Sequence, residues 1–222
     1  MTDTGLFILA ADWRRIREDP SFVELVRLMR IVNQLSLSYP PLLATLEDQS
    51  PRARRERASA IVFAAALLQE GMRTAEGLAQ YFRGLAQYRE EFAPLFSDPK
   101  VQAYRANVLG RVRDELVFHV DRATIAEGLA RFPAGDVHVA STLESDWSQG
   151  QIYFEIADDA LFGALFGNAE SAERYTDQLR ELVEGTTELF TRFTTAAHRL
   201  IPAVLAQLGC VSRPIVRPVP PV

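Results

Sequence analysis

Apolar residues recur at three- and four-residue spacing along most of this chain, the period of one face of a helix. From Ser21 the run Phe22, Leu25, Val26, Met29 and Val32 predicts a helix, with Ser21 as N-cap and Glu24 placed as in a capping box. Pro40-Pro41 is expected to bend or end it. Ser50-Pro51 marks a fresh helix start. Ile61, Ala65, Leu68, Met72, Ala75, Ala79, Phe82 and Leu85 then form a long stripe, which Gly71 and Gly77 are expected to loosen or break. Ser171 to Gly209 reads as the last long helix, with a kink expected at Pro202.

Between these helices the period changes. Val137 and Val139 alternate with His138 and Ala140, and Ile152, Phe154 and Ile156 alternate with Tyr153, Glu155 and Ala157. Two such runs predict an antiparallel hairpin at about 136–157. The proline-rich end, from Arg213 onward, is expected to be extended. The predicted fold is mainly α: a helical bundle with an inserted two-stranded β-hairpin. We expect one domain over 1–209 and an extended tail over 210–222.

Composition narrows the function classes. Hydrophobic residues make up 48% of 222, enough for a sizeable core. A net charge of −5 argues against a surface coated in positive charge for holding nucleic acid broadly. Arg52, Arg54, Arg55 and Arg57 cluster, but in a chain whose only lysine is Lys100 they read first as a solvated arginine face. There is no Gly-rich phosphate loop and no cysteine pair, and His119, His138 and His198 have no second ligand at metal-binding spacing. No cofactor or metal is expected. Cys210 stands alone, so no intrachain disulfide forms. Met1 to Gly5 lacks a basic region, and the longest apolar run, Ile61 to Leu68, is far short of a membrane span. A cytoplasmic location without membrane partners is the expectation.

Two groups of residues are candidates for chemistry. The first is Arg30 with Asn33. Asn33 follows Met29 by four positions, beside the apolar stripe, and reads as a buried amide satisfied by the fold or as part of a polar rim with Arg30. The second lies in the stretch from Ser97 to Asp121. Asp98 and Pro99 open a helix there, and Val101, Tyr104, Val108, Val112, Leu116 and Val120 line one face. Within it runs Arg113-Asp114-Glu115-Leu116-Val117-Phe118-His119.

That spacing resembles the R-x(4–6)-H motif of the HEPN superfamily of small helical proteins, many of which carry a polar residue directly after the arginine. The resemblance covers roughly Ser21 to Arg131. The hairpin departs from a plain helical bundle. The resemblance implies metal-independent RNA cleavage through the substrate's own 2′-hydroxyl. His119 would move protons, Arg113 would stabilise charge on the phosphate, and Asp114 would orient the arginine. On a straight α-helix Arg113 and His119 are about 240° apart. The resemblance therefore implies a homodimer with a shared cleft, RNA as substrate and a neutralising, antitoxin-like protein partner. A second reading stands beside it. Arg113 pairs with a nearby carboxylate, His119 belongs to the core, and the protein is a non-catalytic helical interaction or structural module.

Overall fold

A computed structural model describes residues 4–44, 51–117, 122–131, 141–142, 152–153, 156–157, 160, 163–164 and 172–214. After β1 (Thr4–Phe7) and α1 (Ala10–Arg17), Asp19 caps α2 (Pro20–Ala44). Its Oδ1 accepts from the Ser21 amide at 2.8 Å and from the Ser21 hydroxyl at 2.7 Å, and Pro20 fills the first helical position. Ser21 is thus not the cap: a proline just inside a helix leaves the residue before it to do the capping. The Ser21 hydroxyl and amide hold the Asp19 carboxyl below the usual carboxylate range.

The buried line of α2 is Phe22, Leu25, Leu28, Val32 and Leu35, whereas Val26 is exposed. The stripe is rotated from the predicted one, and Asn33 lies on the exposed side. The helix also runs through Pro40-Pro41 to Ala44 instead of ending at the pair. In the turn before it, Ser36 and Ser38 donate their hydroxyls back to the Val32 and Leu35 carbonyls, bonding that accommodates a bend.

α3 (Pro51–Gly77) packs along α2 and against the long α8 (Ala172–Gln207). Gly71 does not break α3. It is buried where α3 meets α8, and a Cβ there would stand 2.5 Å from Phe193 Cζ. α3 ends at Gly77, and a short turn, α4 (Ala79–Phe82), follows. Phe92 and Phe193 are both fully buried and meet edge to face at 5.8 Å, and Tyr88, Phe92 and Phe96 form a three-ring cluster whose centroids are all within 6.5 Å of one another. Full burial of each such ring contributes roughly 1.5–3 kcal/mol. α8 continues through Pro202.

The segment from Tyr88 to Val117 departs most from the predicted geometry. α5 (Ala93–Ser97), with Pro94 in its first turn, and α6 (Pro99–Tyr104) are bordered by π-helical turns at Tyr88–Phe92, Arg105–Leu109 and Val112–Val117. Asp98 caps α6 as expected, accepting from the Lys100 amide at 2.9 Å; the bond from Arg192, then that amide, holds its carboxyl below the usual range. A π turn bonds i to i+5, so residues five apart share a face. The inward line accordingly takes in Val101, Tyr104, Leu109, Val112 and Val117, with the predicted Val108 also packed against the core; the side chain of Leu116 lies outside the described residues.

Tyr88 and Tyr104 bury their rings and place their hydroxyls on carbonyls. Tyr88 donates to Ala75 O, and Tyr104 bonds Leu182 O and the Thr186 hydroxyl, its ring lying against Gly185. Burial pushes both phenols up to about 12. A folded-state value above the ordinary one near 10 means stability that is whole below about pH 10 and is lost as pH rises through about 12. In an ultraviolet difference titration, at least two of the six phenols should therefore resist ionisation until about pH 12. The lag should vanish in denaturant, and Tyr88→Phe and Tyr104→Phe should each remove one late phenol.

α7 (Arg122–Leu129) approaches the helical residues Ala160, Gly163 and Ala164 so closely that a methyl on Gly128 would overlap the Ala160 carbonyl. Arg111 and Arg131 donate to the Ala164 and Gly163 carbonyls. The expected hairpin is present as β2 (Ser141–Thr142) and β3 (Ile152–Tyr153), antiparallel, with Ser141 opposite Tyr153. Ile156 and Ala157 are already helical, and Val137 to Ala140 lie outside the described residues.

A second ribbon was not predicted. β4 (Val211–Pro214) pairs antiparallel with β1, from Thr4 opposite Pro214 to Phe7 opposite Val211. Gly209, at φ +84°, ends α8: its amide donates to Ala206 O and that of Cys210 to Leu205 O. This left-handed turn redirects the chain from helix into strand. The start of the expected tail is therefore a strand; 215–222 lie outside the described residues.

Candidate functional site

Arg113 leaves the π turn just after the fully buried Val112, so its Cα is pinned against the core while its guanidinium reaches α3. There its Nε donates to Glu70 Oε1 at 2.5 Å, and its Nη1 donates to Asp114. Arg73, three residues after Glu70 and so on the same face of α3, completes the group. It stands 3.4 Å from Asp114 Oδ2 and 3.9 Å from Glu70 Oε1. Two guanidiniums and two carboxylates form a charge-balanced quartet. Asp114 and then Glu70 raise Arg113 above its ordinary value, and Arg113, then Arg73, holds the Asp114 carboxyl below the usual range. Asp114 and Arg73 are exposed, where such pairs contribute only about 0–1 kcal/mol each. The quartet fixes geometry more than it adds stability.

The same device occurs one step earlier. Arg105 forks to Glu76 on α3 with bonds of 2.6 and 2.9 Å, and its guanidinium lies over the Phe96 ring. The π-distorted helix is thus clamped to α3 twice, at Arg105–Glu76 and Arg113–Glu70.

Arg30 lines a groove of about 490 Å³ between α2 and α3. Val26, Ile31, Phe63 and Leu67 supply apolar surface, with Gln34 and Glu70 among the polar lining. Glu70 is therefore the residue that joins the two predicted groups: it lines the groove beside Arg30 and accepts from Arg113. Asn33 is exposed and is not part of the groove lining, so the expectation of a buried amide fails. His119 lies outside the described residues, as does His138; His198 is exposed. The side chains of Arg52, Arg54, Arg55 and Arg57 also lie outside them.

Glu70 and Arg73 escaped sequence reasoning. Their Glu-x-x-Arg spacing is no different from that of Glu24 and Arg27, an exposed pair. Only the fold brings the first pair opposite Arg113. Among the described residues, no group of three or more His, Cys, Asp and Glu side chains is placed to hold a metal ion. Burial pushes the Cys210 thiol up, away from a reactive thiolate. No helix among the described residues is long and apolar enough to cross a membrane. Comparison with family models, with curated proteins and with solved structures finds no match.

Proposed function

We propose that this chain is a non-catalytic helical interaction module in which Arg113 is a structural clamp. The observation that carries this reading is the commitment of the guanidinium to two carboxylates, in an arrangement that Arg105 and Glu76 repeat. A group that stabilises charge building on a phosphate works through donors aimed at the place where that charge appears. Here Nε and Nη1 are directed at Glu70 and Asp114, and the four charges of the quartet sum to zero. An RNA phosphate entering the quartet would meet two anions as well as two cations.

One observation favours a second reading, the metal-independent ribonuclease of HEPN type. Asp114 accepts from Arg113 as an orienting acid would, and the quartet lies at the surface. In that reading the substrate is RNA, two copies share a cleft, and a protein partner restrains the activity.

The two part on a single assay. Purified full-length chain is incubated with RNA in EDTA beside His119→Ala. The interaction module leaves the RNA intact with both proteins. Cleavage that leaves a 2′,3′-cyclic phosphate, and that His119→Ala abolishes without altering the circular dichroism spectrum, would overturn it in favour of the nuclease.

A further inference from the structure

The exposed side of α2 carries an unused helix-packing seam. Val23, Arg30 and Leu37 are spaced by seven, and Val26 and Asn33 occupy the alternate positions between them, the a and d pattern of a coiled coil. All five are exposed, Leu37 by 75%. The seam borders the groove whose far wall is Phe63 and Glu70 of α3, and Phe63 is itself 40% exposed. From Val23 to Leu37 is fourteen residues at 1.5 Å each, about 21 Å. That is the length of a docked helix of about four turns.

Charge says what fits. Arg27 is paired with Glu24, and Glu70 with Arg113. Arg30, at the centre of the seam, has no ion-pair or hydrogen-bond partner among the described residues. A second copy of α2 is a poor occupant. Arg30 is the midpoint between Val23 and Leu37, so pairing centred on the seam, parallel or antiparallel, sets guanidinium against guanidinium. Like charges facing each other at such a seam select against self-pairing.

We infer that the α2–α3 groove docks an amphipathic helix of another protein, with apolar residues on one face and a central carboxylate that meets Arg30. This rests on the interaction-module reading and names its partner class. The apolar seam supplies contact area. Arg30 supplies register and discrimination, the part a single polar a-position residue plays in coiled coils.

The test is a charge swap. Two synthetic helical peptides of three heptads carry leucine at a and d and differ at the central a position, Glu in one and Lys in the other. Binding to the full chain is followed by fluorescence anisotropy. Wild type should bind the Glu peptide at least about tenfold more tightly than the Lys peptide. Arg30→Glu should reverse that order while leaving the thermal midpoint unchanged, because Arg30 is exposed. Equal affinities, no binding of either peptide, or an order that Arg30→Glu fails to reverse would overturn the inference. So would a wild-type dimer in sedimentation velocity that Leu37→Lys dissolves, because the occupant would then be a second copy. RNA cleavage dependent on His119 would instead overturn the module reading and leave the peptide result to stand alone.

Discussion

Phe193→Ala should lower the free energy of unfolding by about 3–5 kcal/mol, the largest single loss expected in this molecule. The ring is fully buried, stands edge to face on Phe92, and fills the space over Gly71 where α8 meets α3. Its removal takes the edge-to-face contact from Phe92 of the Tyr88–Phe92–Phe96 cluster and leaves a cavity at the junction of α3 and α8. Urea denaturation followed by circular dichroism measures the loss. A drop under about 1 kcal/mol would mean that the α3–α8 junction collapses around the vacancy and is less rigid than described.

Gly71→Ala should also destabilise, by about 1–3 kcal/mol. The direction is the informative part, since alanine is normally better than glycine inside a helix by about 0.5–1 kcal/mol. At this position the new methyl would stand 2.5 Å from Phe193 Cζ, 2.9 Å from Cε1 and 3.3 Å from Ile31 Cγ2. The ring is wedged by Phe92 and has nowhere to go. Combining the two substitutions should cost less than their sum, with a coupling of about 1 kcal/mol or more, because the methyl occupies space the ring has left. A raised denaturation midpoint for Gly71→Ala alone would contradict the close packing of α3 on α8.

Helix existence was readable wherever one face had to be apolar for the chain to bury it. Asp98 followed by Pro99 was readable too, since capping is local chemistry. What escaped lay beyond local chemistry. The period of 3.6 gave no warning of π turns, which insert a residue and bring Leu109 and Val117 to the core beside the predicted Val108. The angle of about 240° between Arg113 and His119 therefore loses its basis, because it assumed a straight α-helix. The partners of Arg113 were invisible because Glu70 lies on another helix, and its spacing to Arg73 is commonplace. The β1–β4 ribbon went unseen because its two halves belong to opposite ends of the sequence. Of the candidate residues, Arg113 and Asp114 do contact each other, and Arg30 does line a groove; Asn33 was misplaced by the rotation of the α2 stripe.

That ribbon governs how the molecule would respond to being pulled. Its outer rung is Thr4 with Pro214 and its inner rung Phe7 with Val211. Force applied to the two strands from their outer ends would peel the rungs apart one after another, as a zip opens, before any load reached α1 or α8. The ribbon would act as a mechanical fuse, parting early and sparing the helices behind it.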